Sequence, residues 1–256
     1  MCTFIILRRP NDAWPVLIAA NRDEMIDRPW LPPDRHWPDR PEVMAGQDVL
    51  AGGSWLGLND HGVVAGILNR HGSLGPAPGQ RSRGELVLEA LDHADASEAA
   101  AALSHIEPAA YRTFNLIVAD NRDAFWLRHA DPSGTLPITV TPVKPGLHMI
   151  ASGDIDDDEL PRLKRYQPLF DDAPVPNPDT GDWAAWQKLL TDGDLKPGEE
   201  AQNVMRFNTG RGFATVSSAL IALPAVAHTP DAARKPQFWM AAHHPQPSPW
   251  RDYYSR

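Results

Sequence analysis

The sequence predicts an α+β fold, with two mainly antiparallel sheets stacked between outer layers of helix. Three observations carry that prediction. Short runs rich in β-formers are joined by turn chemistry, so the strands pair as hairpins. The elements come as strands, helices, strands, helices and strands, with the helices in blocks. The 256 residues are 42% apolar and 22% charged, a globular balance with enough apolar side chain for a sizeable core. Neither an internal repeat nor a boundary interrupts the chain, so 1–256 reads as a single domain.

Cys2–Leu7 (CTFIIL) and Pro15–Ala20 (PVLIAA) are the first two strands, and Pro10-Asn11-Asp12 between them is turn chemistry. They form a hairpin that carries Cys2 at one end. Asn21, Arg22, Asp23 and Glu24 then form the exit from the second strand, and a Pro- and Trp-rich loop runs over Arg28–Pro41. Trp55–Asn59 and Val63–Leu68 make a second hairpin about the turn Asn59-Asp60-His61-Gly62.

Ser82–Ala94 reads as a helix, opened by a capping box of Ser82 and Glu85 and carrying Leu86, Leu88 and Leu91 near one face. Ala96–Ile106 is a second helix. Strands return at Phe114–Ala119, Ala124–Arg128, Ile138–Val143 and His148–Ser152. Asp158–Phe170 and Trp183–Leu190 are helical, and Ala214–Leu223 and Gln237–Ala242 are the late strands.

Composition excludes several functions. The net charge is −9, from 24 basic and 33 acidic residues, and no Lys/Arg run offsets it, so nucleic acid and anionic lipid are poor partners. No apolar stretch approaches the ~20 residues of a bilayer span. Phe4–Leu7 is too short for a signal segment before Arg8, Arg9 and Pro10 interrupt it. A single cysteine forms no intrachain disulfide and suits a reducing compartment, so the expected location is cytoplasmic. The expected partner is a small-molecule ligand or substrate, and the oligomeric state stays open. The 26 prolines mark rigid loops.

Three features can carry chemistry. Removal of Met1 would make Cys2 the first residue, with a free α-amine beside its thiol. An α-amine titrates near ~7.7–8.0 and can act as general base for that thiol. The bland alternative is an incidental small apolar residue. Asn21-Arg22-Asp23-Glu24 sets an arginine and carboxylates at a strand end, able to hold a thiolate or an α-ammonium. The alternative there is a solvated exit with local ion pairs. Asn69 and Arg70 end another strand, where an Asn offers donors for an oxyanion or simply closes a hairpin. Nucleophile-elbow, phosphate-loop, dinucleotide and zinc-protease motifs are absent. His243-His244 reads as polar surface rather than a metal site, and the nine tryptophans read as core and loop anchors.

MCTFIIL, AANRDE, GGSWLGLNDHGVVAGILNR, SRGELVLEAL and FNLIVAD, in this order, resemble the NRDE-motif family, also called the transport and Golgi organisation protein 2 family. The resemblance is close in the first half of the chain and loose in the second. It implies an N-terminal-nucleophile (Ntn) hydrolase-like αββα sandwich, distantly related to bile-salt hydrolases and penicillin V acylases. It also implies a processed Cys2 nucleophile acting on an amide bond of a small acylated substrate. Asn69 would hold the oxyanion, and Arg22 and Asp23 would support the nucleophile, with Asn21, Glu24 and Arg70 in supporting positions. No cofactor or metal is implied.

The alternative that the family permits is a non-catalytic carrier or chaperone of a hydrophobic small molecule such as haem or acyl-CoA. Two segments depart from the related hydrolases. Ala151-Ser152-Gly153-Asp154 sets Gly153 where relatives carry a second oxyanion Asn. Ala214-Thr215-Val216-Ser217-Ser218-Ala219 sets Val216 where they carry an arginine, with Arg211 expected close enough to substitute for it in space.

Overall fold

The computed structural model describes residues 2–226 and 234–254. The strands are β1 (Thr3–Arg8), β2 (Val16–Met25), β3 (Trp30–Asp34), β4 (Val43–Asp48), β5 (Leu56–Asn59), β6 (Val64–Asn69) and β7 (Phe114–Ala119). They continue with β8 (Ala124–His129), β9 (Thr139–Pro142), β10 (Gly146–Ile150), β11 (Phe213–Leu223), β12 (Gln237–Ala242) and β13 (Arg251–Asp252). The α-helices are α1 (Gly84–Leu91), α2 (Ala96–Leu103), α3 (Pro161–Asp172) and α4 (Ala184–Leu190). The chain divides into two compact units, one built from Met1–Arg28 and Pro145–Arg256, the other from Pro29–Lys144.

The first unit holds a six-stranded sheet in the order β10-β1-β2-β11-β12-β13. All its pairings are antiparallel. Strand side chains alternate between faces, and one face carries Ile5, Leu7, Leu17, Ala19, Leu220 and Ala222. These pack with Leu163, Tyr166 and Phe170 of α3 and Trp186 and Leu190 of α4. Pairing across the centre of this sheet joins β2 to β11, residues far apart in sequence.

The second unit is a seven-stranded antiparallel meander in sequence order, β3 to β9. Helices α1 and α2 follow β6 and bury Leu86, Val87, Leu91, Ala99 and Leu103 against Val43, Ala45, Ala65, Leu116 and Val118. Gly57 lets α1 come this close: a Cβ there would meet Ala45 and the Leu91 Cδ1. The β5–β6 turn is tied by Asn59. Its Oδ1 accepts the His61 and Val63 N–H groups, and Gly62 takes φ +85°. The Asn59 Nδ2 donates to the Leu91 and His93 carbonyls, both at 2.8 Å, which ends α1 on the hairpin.

The expected strands and helices form, β4 and β13 are additional strands, and further differences are informative. Asn21–Glu24 are not a strand exit: β2 runs on to Met25, because β11 supplies a partner along its whole length. The Pro-rich loop contains β3, paired to β4. The capping box does not form. Arg83 is the N-cap, and the Glu85 carboxylate instead pairs with Arg81 at 2.6 Å and accepts from the Tyr111 hydroxyl at 2.5 Å. Helix α2 has the side-chain cap, Asp95 accepting from the Glu98 N–H.

Candidate active site around Cys2

Cys2 stands just before β1. Thr3 pairs with Asn21, so the register carried one residue further sets Cys2 opposite Arg22 of β2. The Cys2 sulfur lies on the Asp23 backbone, accepting from its N–H at 3.4 Å and approaching its carbonyl at 3.6 Å. Cys2 keeps partial exposure. Burial of the thiol raises its pKa, and the Asp23 carboxylate raises it further. The positive charge of the N-terminus, then the Asp23 N–H and the Arg22 guanidinium, oppose this with less effect. This environment therefore holds Cys2 as a neutral thiol near neutral pH, and a thiolate needs a nearby proton acceptor.

Strand alternation divides the Asn-Arg-Asp-Glu run. Asn21 and Asp23 face the helices, and Arg22 and Glu24 take the other face. The Asp23 side chain is fully buried and pairs with Arg162 of α3 at 2.9 Å. The same Arg162 nitrogen donates to the Thr3 Oγ1 at 2.8 Å, and its Nε donates to the Gln202 carbonyl at 2.9 Å. The guanidinium also lies 5.5 Å from the centre of the Phe207 ring. Arg22, itself buried, has Glu24 at 3.8 Å, and Glu24 lies equally far from Arg28.

Asn21 is a cross-link. Its Nδ2 donates to the Leu190 carbonyl at 2.9 Å and the Met205 carbonyl at 2.7 Å, which fixes Oδ1 as the acceptor for the Ser218 hydroxyl at 2.6 Å. With its one proton committed there, Ser218 accepts from the His243 Nε2 at 2.8 Å. His243 is thus a neutral imidazole with its proton on Nε2. Burial, followed by the charges of Arg206 and His244, pushes its pKa down to about 4. Reading the His243-His244 pair as polar surface needs correction: His243 is buried, and the Val216 carbonyl anchors both backbone N–H groups.

The two departures are built into the fold. A Cβ at Gly153 would run into the Asp157 carboxylate. Val216 sits in the β11 bulge between Thr215 and Ser217 with its side chain buried, and Arg211 lies in the turn before β11. Asn69 and Arg70 belong to the second unit. Asn69 ends β6 opposite Phe114, and Arg70 donates to the Asn115 Oδ1 at 2.7 Å, an oxygen shared with the Trp126 Nε1.

The structure thus gathers Cys2, Asn21, Arg22, Asp23 and Glu24 in one unit and adds Thr3, Arg162, Ser218 and His243. Arg162 had no local signal beyond being a basic residue in an amphipathic helix. Tryptophans serve the cores as expected, Trp183 and Trp186 being fully buried. Among the described residues, no group of three His, Cys, Asp or Glu side chains could hold a metal ion, and no helix is long and apolar enough to cross a membrane.

Comparison with known proteins bears on this arrangement. The family profile described as Transport and Golgi organisation 2 matches residues 1–210. A mouse Transport and Golgi organization 2 homolog is 34% identical over 113 residues, 43% of this chain and 40% of that protein. The human Transport and Golgi organization protein 2 homolog is 33% identical over 148 residues, 54% of this chain and 51% of that protein. The chain thus spans about half the length, or less, of these curated relatives.

Among solved structures, penicillin V acylase from Agrobacterium tumefaciens matches with a TM-score of 0.58 at 16% identity, over 99% of this chain and 86% of that one. A Caenorhabditis elegans N-acylethanolamine-hydrolyzing acid amidase ortholog gives 0.57 at 14%, over 90% and 96%. A mutant conjugated bile acid hydrolase from Clostridium perfringens gives 0.53 at 12%, over 100% and 93%. At these identities the likeness shows the fold: the Ntn-hydrolase-like α+β class, with two mainly antiparallel sheets.

Proposed function

Because the chain belongs to the Transport and Golgi organisation 2 family, we propose that it keeps the N-terminal-cysteine chemistry of the amidohydrolases it resembles in fold, cleaving the carbon–nitrogen bond of a small acylated substrate. The observation that carries the reading is the Cys2 sulfur seated on the Asp23 backbone at the start of β1, in surroundings that raise its pKa. Such a thiol needs a base, and removal of Met1 would put an α-amine on the same residue. That amine takes the thiol proton as the sulfur attacks the amide carbonyl and the C–S bond forms. The carbonyl electron pair moves to oxygen, giving an oxyanion that N–H donors stabilise.

When the intermediate collapses, the C–N bond breaks and the α-ammonium passes its proton to the departing nitrogen. Water then attacks the thioester, giving a proton to the amine, and the acid leaves as the thiol is restored. Arg22 contributes positive charge beside the sulfur, and Asp23 contributes its N–H donor. The single-domain organisation and a cytoplasmic setting belong to the same proposal.

The test pairs intact-mass analysis of the N-terminus with an acyl-amide or iodoacetamide probe. The expected result is a single adduct on Met1-free protein that Cys2→Ala abolishes. Amine release by protein that retains Met1, or labelling that survives Cys2→Ala, overturns the proposal.

A further inference from the structure

The side chain that supports the Cys2 strand from beneath is not in the Asn-Arg-Asp-Glu run. It is Arg162, reached 139 residues after Asp23. One of its nitrogens bridges Thr3, the neighbour of Cys2, and Asp23, whose N–H donates to the Cys2 sulfur. Its Nε is fixed by the Gln202 carbonyl. Both charges of the pair are buried, with side-chain exposures of 1% for Arg162 and 0% for Asp23. A buried pair held only for packing is replaceable by apolar groups, whereas removal of one partner strands the other charge. This pair sits where it constrains two residues at once, and both of them flank the sulfur.

We propose that Arg162 is the positioning residue for Cys2: by holding Thr3 and the Asp23 carboxyl group together it fixes the Asp23 N–H on the sulfur and keeps the start of β1 in register. The proposal rests on Cys2 being the nucleophile. Arg22 cannot do this work, because it lies on the opposite face of β2 from the Asp23 carboxylate. The charged groups around the sulfur are the N-terminal amine, Asp23 and Arg22 on β2 with Glu24 beyond them, and Arg162 on α3 beneath. Without Arg162, the Asp23 carboxylate loses its buried partner and is free to shift from its place under β1. Movement of the carboxylate would shift the backbone donor that the same residue holds on the sulfur.

The experiment compares the rate of Cys2 alkylation by iodoacetamide across pH 6–9, read by intact mass, with near-UV circular dichroism as a check of packing. Arg162→Gln is expected to slow alkylation roughly tenfold or more, the scale of a small misplacement of a reacting group, and to change the shape of the pH profile. Arg162→Lys keeps the charge and enough donors for Thr3 and Asp23. It loses the Nε bond to Gln202 and the planar fork, and is expected to recover only part of the rate that Arg162→Gln loses. Arg162→Gln combined with Asp23→Asn should be no slower than the worse single change, since the two act as a unit.

Wild-type rates in Arg162→Gln overturn the inference. So does a Lys variant as impaired as the Gln variant, which would leave packing as the whole role. Failure of the underlying reading looks different: the wild-type thiol would then react no faster than a free cysteine, whatever stands at 162.

Discussion

Lowering the pH from 7 to 4 challenges the buried neutral ring of His243: a proton added at Nδ1 leaves the Nε2 donor on Ser218 but puts a charge in a buried site. In the unfolded chain His243 has the ordinary imidazole value of 6.5, and in the folded chain it is pushed down to about 4. Between those values the unfolded chain binds a proton that the folded chain refuses. Stability therefore rises with pH across the window and is lost as pH falls from about 6.5 toward 4. Subtracting about 4 from 6.5 leaves about 2.5 pH units, and at ~1.36 kcal/mol each this amounts to roughly 3 kcal/mol. The residue is only 6% exposed, so solvent screening removes little of it.

Urea unfolding of the wild type and of His243→Gln, at pH 7, 5 and 4, isolates the contribution. Arg206, His244 and Asp23, whose charges act on the imidazole, are present in both proteins. The wild type should lead at pH 7 because Ser218 keeps its donor, and that lead should shrink by roughly 3 kcal/mol by pH 4. A lead that stays constant to within about 0.5 kcal/mol, the size of an ordinary surface effect, would refute the reasoning.

Two further outcomes follow from the second unit. Asn59→Ala removes two donors to the end of α1 and two acceptor contacts in the hairpin turn. A loss of about 3 kcal/mol or more is expected in chemical unfolding, and a change under ~1 kcal/mol would mean the Leu91 and His93 carbonyls find other partners. Gly57→Ala sets a Cβ against Ala45, with the Leu91 Cδ1 at 3.0 Å. Overpacking of this kind costs about 1–3 kcal/mol, and a melting temperature equal to wild type would show that α1 can withdraw freely.

The sequence carried the outline of the fold well where pattern is local. Phe114–Ala119 and Gln237–Ala242 are strands with the expected bounds, because each is a short β-forming run closed by turn or loop residues. Asn21–Glu24 looked like a strand exit because polar residues usually mean water. Here their partners come from far along the chain: Leu190 and Met205 for Asn21, and Arg162 for Asp23. No local window contains such information, and the same holds for His243, whose burial depends on Ser218. Cys2 was singled out by the motifs that follow it, since its position alone favours an incidental small residue. What remained hidden was the support beneath it.

The first unit is discontinuous, and this bears on the order in which a nascent chain can assemble. The second unit, Pro29–Lys144, is contiguous and can close on its own residues as they emerge. Strand β2 cannot: its partner Ser218 is made 197 residues after Asn21. At ~5–20 residues per second, that separation is a wait of roughly 10–40 s. Until β10 emerges, β1 and β2 form at most an isolated hairpin, which is marginal in water, and the far edge of β2 stays open until β11 follows. The thiol is therefore seated late in synthesis, after α3 has delivered Arg162 and β11 has closed the sheet. A chain cut short before β11 carries the cysteine without the surroundings that give it a defined reactivity.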